Sequence, residues 1–213
     1  MTEEKLKFLN DIIKPWEILN KQLSIPFSVN TSVSDFTNKA ASLAVSIKHF
    51  PENAHSLEPE DLLSESEPYK IFSDLADSLK HGKLRDNKRQ CTIYAGSMFE
   101  RSKEGLVRFL RNTVNIKHNT YGDLDFMETS KQAALFVASK VDFRSDWDPI
   151  VIANKGEFSH KVHVHASIEN QVAWQGMALQ FVELSDDNKY KFVNLNSTIE
   201  FTLTVDNNLS IPK

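Results

Sequence analysis

The spacing of apolar residues changes along the chain, and this change limits the possible folds more than any other feature. Up to His81 the apolar residues recur at three- and four-residue steps, which is typical of amphipathic helices. Beyond Trp147 the chain contains alternating, β-branched and aromatic runs, which are typical of strands. This order predicts an α+β fold, with a helical N-terminal part packed on an antiparallel β-rich C-terminal part.

Three helices are predicted in the N-terminal part. The first covers residues 6–23 and is interrupted by Pro15, which cannot donate a helical hydrogen bond. The second covers residues 34–49 and ends before Pro51, because the residue before a proline avoids helical geometry. The third covers residues 68–81 and has a proline in its first turn, where the missing N–H is tolerated.

The C-terminal part is predicted to be mostly strands. Residues 90–99 and 106–120 form a β-hairpin in this interpretation, and a single helix follows over 124–141. Antiparallel strands then cover 149–205. A helix over 98–112 is the alternative to the hairpin, and a glycine inside it would cost about 1 kcal/mol.

The domain organisation follows from the same change of pattern. Residues 1–89 make the helical part, and residues 90–213 make the hairpin, the single helix and the strands. No Gly/Ser-rich or Pro-rich linker separates the two parts, so we expect one continuous domain.

Composition excludes several classes of protein. Cys91 is the single cysteine, which rules out an internal disulfide and a multi-cysteine zinc site. The longest wholly apolar run is Ala133 to Ala138, far short of the roughly 20 residues that span a bilayer. The N-terminal residues lack the apolar stretch of a secretory signal, so we expect a cytoplasmic protein. Nucleotide-binding glycine motifs are absent, and no cofactor is predicted.

Charge is distributed unevenly. Residues 80–118 contain ten basic and three acidic residues, a balance of +7 in a chain whose net charge is −4. Residues 51–67, predicted to form a loop that could contain one helical turn, have six acidic residues and no Lys or Arg. In one interpretation the basic segment meets phosphate groups or an acidic partner. In the other, the acidic loop lies over the basic segment and neutralises it, or both are solvated.

The first interpretation predicts a binding surface made by the helix 68–81 and the basic hairpin after it. The candidate binding residues are Lys80, His81, Lys83, Arg85, Lys88, Arg89 and Arg108, with Arg111 as a further contact. The partner would be a protein or a nucleic acid, no membrane contact is expected, and an oligomer is possible.

A second hypothesis concerns Arg111 and His118. The segment from Arg111 to His118 resembles the Arg-polar-x(n)-His signature of HEPN ribonucleases. The resemblance implies a helical bundle that cleaves RNA without metal, in which His118 is the general acid or base and Arg111 holds the phosphate. On a strand, residues seven apart point to opposite faces, so the secondary structure of residues 106–120 decides this hypothesis.

A third hypothesis concerns two histidines on a predicted strand. His163 and His165 share one face of that strand, and Glu169 could complete a two-histidine, one-carboxylate metal site. The spacing His-x-His-x3-Glu-x6-Gly is similar to the first motif of the cupin family, which implies metal-dependent chemistry. No histidine follows to supply the second cupin motif, and plain alternation on a half-exposed strand explains the pattern as well.

Residues 74–84 resemble a segment of uncharacterised bacterial or phage-encoded proteins, a resemblance that implies no activity. Asp74, Asp77 and His81 lie on one side of the predicted helix. They could form an acid–histidine dyad or half of a metal site. Alternatively, His81 complements the helix dipole and pairs with Asp77.

These observations favour a non-enzymatic, cytoplasmic binding or accessory protein of bacterial or phage origin that acts through its basic segment. The HEPN-like ribonuclease and the metal-binding His-x-His strand are the alternatives.

Overall fold

The computed structural model describes residues 2–26, 33–55, 59–141, 147–154, 156–167, 178–194 and 200–206. The chain divides into two compact units built from interleaved segments. The first unit consists of Met1–Gln22, Phe36–Tyr94 and Val114–Val151, and the second of Leu23–Asp35, Ala95–Thr113 and Ile152–Lys213. The α+β class predicted from the sequence is confirmed.

The helices lie mainly in the first unit. They are α1 (Glu3–Phe8), a π-helical turn (Leu9–Ile13), α2 (Lys14–Leu23), α3 (Val33–His55), α4 (Pro59–Leu63), α5 (Glu67–His81) and α6 (Phe126–Lys140). A short 3₁₀ turn covers Asn87–Arg89. None of the helices in the described ranges combines the length and hydropathy needed to cross a membrane.

A π-helical turn accommodates the proline in the first predicted helix. The N–H of Lys14 donates to the carbonyl of Leu9, five residues back, immediately before Pro15. This extra residue in the turn rotates the preceding helix relative to a regular 3.6-residue pattern. Phe8 is buried, whereas Leu6, the first apolar residue of the predicted helix, is 43% exposed.

The second predicted helix is longer than expected. α3 continues through Pro51 to His55, and α4 forms where the rest of the 51–67 loop was predicted. Phe50 is buried, and its ring meets that of Phe8 edge-on at 5.0 Å. The packing of Phe50 provides a physical reason for the continuation, because burial of an aromatic ring outweighs one lost backbone hydrogen bond.

Aromatic side chains dominate the core of the first unit. Phe72 of α5 packs on Phe126 of α6 at 5.1 Å between ring centroids. Trp16 of α2 is fully buried, and its indole Nε1 donates to the Met127 carbonyl at 3.2 Å and to Ser130 Oγ at 2.9 Å. The indole N–H therefore has hydrogen-bond acceptors, which a buried tryptophan needs.

Seven strands are described. They are β1 (Cys91–Arg101), β2 (Val107–His118), β3 (Gly122–Asp125), β4 (Lys161–Ser167), β5 (Ala178–Leu184), β6 (Tyr190–Phe192) and β7 (Glu200–Asp206). Five of them form one sheet in the order β3-β2-β1-β5-β6, and β4 pairs with β7 in a second sheet. The hairpin prediction is confirmed in β1 and β2, which replace the alternative helix over 98–112.

The strands after residue 149 are not a purely antiparallel meander, as the sequence predicted. β5 pairs in parallel with β1, from Gly96 opposite Ala178 onward, and β4 pairs in parallel with β7. Among the described strands of this region, β5 and β6 form an antiparallel pair. Residues 150–153 form no strand. Pairing partners differ from the prediction because alternation within a strand carries no information about its neighbour.

The second unit has a small aromatic core. Phe99 and Val107 are buried at its centre, and Phe109 and Phe181 pack against them. The ring of Phe99 lies 5.7 Å from that of Phe181 and 5.9 Å from that of Phe109.

Candidate functional site

The basic residues nearest to helix α5 lie on a short connection to β1. We call residues 82–90 the basic loop. α5 ends at Gly82, whose φ of 70° is a conformation that favours glycine. Its N–H donates to the Ser78 carbonyl at 2.8 Å, which closes the last helical turn.

A buried ion-pair network in the first unit holds the far end of the basic loop. Arg89 Nε donates to Asp74 Oδ1 at 2.5 Å, and Arg89 Nη2 donates to Asp77 Oδ2 at 2.8 Å. Lys48 of α3 donates to the other oxygen of Asp77. The side chain of Asp74 is only 2% exposed, so its charge depends on these protein donors rather than on water.

His118 completes the network from the end of β2. Its Nε2 lies 3.4 Å from Asp74 Oδ2, and its Nδ1 accepts the backbone N–H groups of Thr120 at 3.0 Å and Tyr121 at 3.4 Å. Because Nδ1 is an acceptor, we assign the proton to Nε2, which donates to Asp74. Both ring nitrogens of this buried histidine are therefore engaged within the fold.

Side-chain hydrogen bonds hold the basic loop along its length. Gln90 accepts the Leu84 N–H through Oε1 at 2.9 Å and donates from Nε2 to the Gly82 carbonyl at 3.0 Å. Behind the loop, the Cys91 N–H donates to Ser78 Oγ at 3.0 Å. These bonds tie the loop to α5 and to itself.

The turn after β2 supports the loop from the other side. The Asn119 N–H donates to the Gln90 carbonyl at 3.1 Å, and Thr120 Oγ1 donates to the Lys88 carbonyl at 2.7 Å. Asn119 Nδ2 also donates to the Asn87 carbonyl at 2.7 Å. These backbone, hydroxyl and amide contacts fix the basic loop, and none of them uses a cationic side chain of the loop.

The network shifts the pKa values of its members. Burial alone would raise the pKa of Asp77, but the hydrogen bonds and charges of Lys48 and Arg89 lower it below its ordinary value. The hydrogen bond to Asp74 raises the pKa of Arg89. Burial, together with the charge of Asp74, raises the pKa of Cys91 to about 12. This cysteine is a buried thiol rather than a nucleophile.

Five basic side chains are exposed at the end of α5 and in the basic loop. We call them the basic surface, which consists of Lys80, His81, Lys83, Arg85 and Lys88. Within the described part of the chain none of the five has an ion-pair partner. The one acidic residue of the loop, Asp86, accepts the backbone N–H of Lys88 at 3.0 Å. The scaffold therefore presents a local excess of positive charge.

Three other cations of the basic segment form ion pairs in the second unit, namely Arg108–Glu100, Arg101–Glu183 and Lys103–Asp186. Arg108 donates from Nε and Nη2 to the same oxygen of Glu100, at 2.8 and 2.6 Å, and stacks over Phe158 at 4.4 Å. Of the predicted binding residues, Arg89 and Arg108 are thus engaged in ion pairs, and the other five form the basic surface.

The extended strand separates the two residues of the HEPN-like motif. Arg111 and His118 both lie on β2, and seven residues of strand correspond to about 23 Å. Arg111 is buried, with Nε donating to the Asn112 carbonyl at 3.0 Å and Nη1 to the Ile152 carbonyl at 3.2 Å. The helical arrangement that the resemblance implies is absent from this strand, and His118 contacts Asp74 instead.

The acid–histidine arrangement predicted on α5 is also different. Asp77 bonds to Lys48 and Arg89, and His81 is exposed without an ion-pair partner among the described residues. Sequence reasoning identified Asp74 but missed Lys48 and Gln90. No local signal identified these two, because Lys48 comes from another helix and Gln90 lies in a polar stretch without periodicity.

The predicted metal site lies partly outside the described residues. The structure places His163 and His165 on β4, whereas Glu169 falls outside the described ranges. Among the described residues, no group of three or more His, Cys, Asp or Glu side chains could hold a metal ion. The site stays a prediction, which elemental analysis of the purified protein tests.

The acidic side chains of the predicted loop have other partners. Glu52 contacts His49 at 3.0 Å, and Glu65 pairs with Lys140. Among the described residues, neither of these acidic side chains pairs with the basic surface.

Comparison with known proteins adds no further evidence. No protein-family model matches the chain, and neither a curated protein nor a solved structure shows significant similarity to it. Inference about function therefore rests on the chain's own residues, and the best-defined feature among them is the basic surface on its buried support.

Proposed function

We propose that the protein is a non-enzymatic binding or accessory protein that captures an anionic macromolecule through the basic surface. One observation carries this proposal. The guanidinium of Arg89 is bonded to two aspartates, whereas its neighbours Arg85 and Lys88 are exposed and have no ion-pair partner among the described residues. Arg89 therefore anchors the loop, and the other two cations remain available to a partner.

Rigidity of the support favours binding. A loop held by Gln90, Arg89 and the turn at Asn119 loses little conformational freedom when a partner binds. The net charge of −4 does not oppose this, because charges beyond about 8 Å are largely screened at physiological ionic strength. The local excess of cations determines the attraction.

The chemistry of the surface favours binding over catalysis. The nearby buried histidine, His118, has both nitrogens engaged, and Asp74 is bonded to two donors. His81 is exposed, and no described side chain orients it, as a general base requires to work efficiently. What the surface offers to a ligand is positive charge.

Charge reversal tests this proposal. We expect the wild-type protein to be retained on immobilised heparin at low salt. The triple variant Lys83→Glu/Arg85→Glu/Lys88→Glu should pass through, because it inverts the local field without removing any contact that supports the fold. Salt-gradient elution measures retention, and circular dichroism checks the fold.

A matched variant controls for net charge. Lys7, Lys70 and Lys189 are exposed cations outside the basic surface, and reversing all three changes the net charge by the same amount. This control should elute close to the wild type. Equal behaviour of the two triple variants, whether both bind or both fail to bind, would remove the proposal.

A further inference from the structure

We infer that the anionic partner is a nucleic acid duplex, bound through its phosphodiester backbone without regard to base sequence. This inference rests on the proposed function and names the partner of the same basic surface. Three features of the surface support it.

The first feature is the type of residue. Three of the five side chains are lysines, and the large apolar side chain exposed beside them is Leu79, which is 41% exposed. Protein–protein interfaces are depleted in lysine and depend on aromatic, methionine and arginine anchors. Lysine binds phosphate as a mobile point charge. A lysine-rich surface with little apolar area therefore fits a phosphate backbone better than an acidic protein.

The second feature is that two amide side chains and one aromatic ring beside the surface are engaged within the fold. The amide of Gln90 bonds to Leu84 and Gly82, and that of Asn119 donates to the Asn87 carbonyl. The ring of Tyr121 packs edge-on against His118 at 4.7 Å.

Amide side chains read base edges, and aromatic rings stack on unpaired bases. Because these amides and this ring are engaged within the fold, the surface is left to recognise the charge of the phosphodiester backbone. That charge carries no sequence information.

The third feature is charge density. Lys80, Lys83, Arg85 and Lys88 provide four full positive charges on the end of one helix and one short loop. Duplex DNA carries about one negative charge per 1.7 Å of its axis, roughly twice that of a single strand. A ligand recognised by charge alone binds best where its charge is densest, which favours a duplex.

Salt dependence gives the quantitative test. If each of the four cations contacts one phosphate, log Kobs should fall with log salt with a slope of about −3.6. Affinity would then drop roughly 150-fold between 50 and 200 mM NaCl. The measurement is fluorescence anisotropy with labelled duplexes of about 20 base pairs, namely two DNAs of unrelated sequence and one RNA.

Labelled poly-L-glutamate serves as the acidic-protein probe. We expect the two DNA duplexes to bind within about twofold of each other, because phosphate contacts carry no sequence information. Both should bind at least tenfold more tightly than polyglutamate. Comparison with the RNA duplex shows whether the protein binds DNA or RNA more tightly. In Lys83→Gln/Arg85→Gln/Lys88→Gln the slope should fall to about −0.9, since one cation remains. The matched Lys7→Gln/Lys70→Gln/Lys189→Gln variant should keep the wild-type slope.

The outcomes separate this inference from the proposed function. The nucleic acid inference is overturned if polyglutamate binds as tightly as the duplexes or more tightly. It is also overturned if the wild type binds none of the duplexes. A strong preference for one DNA sequence, or a slope unchanged by the glutamine substitutions, also overturns it. In each case the heparin experiment independently decides whether the basic surface binds an anion.

Discussion

Asp74 shows how a single residue organises the candidate site. Its buried carboxylate accepts a hydrogen bond from Arg89 and one from His118, residues that lie 15 and 44 positions away in the sequence. A buried carboxylate without such donors would cost several kcal/mol. The need to satisfy this one charge therefore draws the guanidinium of Arg89 to Asp74 and places the end of β2 beside the basic loop.

Asp77 should make stability depend on pH in the acid range. Lys48 and Arg89 outweigh the effect of burial and lower the folded-state pKa of Asp77 below its ordinary 3.8. Its contribution is fully present above about pH 4 and is lost as pH falls through the lowered pKa. Urea unfolding should show a smaller decline of the free energy of unfolding below pH 4 in Asp77→Asn than in the wild type. If the free energies of unfolding of the two proteins fall in parallel below pH 4, this prediction is contradicted.

Cys91 should be unreactive in the folded protein. With its pKa raised to about 12, only on the order of one thiol in 10,000 is ionised at pH 8, and the side chain is buried. Alkylation by iodoacetamide at pH 8 should be at least about 100-fold slower in the native state than in urea. Mass spectrometry of timed samples measures both rates, and similar rates would show that the thiol is accessible.

The basic loop, as an element, depends on how helix α5 ends. Gly82 has a φ of 70°, and a Cβ there would meet no atom within 4 Å, so only backbone strain opposes a side chain. Gly82→Ala should lower the free energy of unfolding by about 1 kcal/mol. Gly156, where no positive φ occurs and the nearest contact is an ordinary 3.5 Å, is the control. Gly156→Ala should change the free energy of unfolding by less than about 0.5 kcal/mol in urea unfolding. Equal losses in the two variants would show that the positive φ at Gly82 does not cause the effect.

Elements differ in how far the sequence predicts them. Phe36, Ala40, Leu43 and Ile47 recur at helical spacing within the predicted 34–49 helix, and all four are buried in α3. Helical periodicity is a local property, so the sequence is enough to predict it. The continuation of α3 past Pro51 was not predicted, because the packing of Phe50 on Phe8 involves a residue 42 positions away. Local rules describe the helix, and distant packing decides where it ends.

The whole molecule is organised by strand pairings that join distant parts of the chain. β1 is hydrogen-bonded on both sides, to β2 and β5, whereas the three residues of β6 are exposed and β6 lies at the edge of the five-stranded sheet. Backbone amides of residues 96–100 should therefore exchange with deuterium at least about 100-fold more slowly than those of residues 190–192. Hydrogen-exchange mass spectrometry tests this, and equal protection would argue against the central position of β1.

The sequence by itself determined the helical and strand character of most segments and the concentration of cations between residues 80 and 88. These properties depend on periodicity, capping residues and composition, all of which act over a few residues. Only the tertiary structure decided that Arg89 is an anchor while Arg85 and Lys88 face outward. It also decided that His118 meets Asp74 rather than Arg111, and that β5 joins β1 in parallel. The physical reason is that a buried charge and an open strand edge select partners by position in space, which local sequence does not encode.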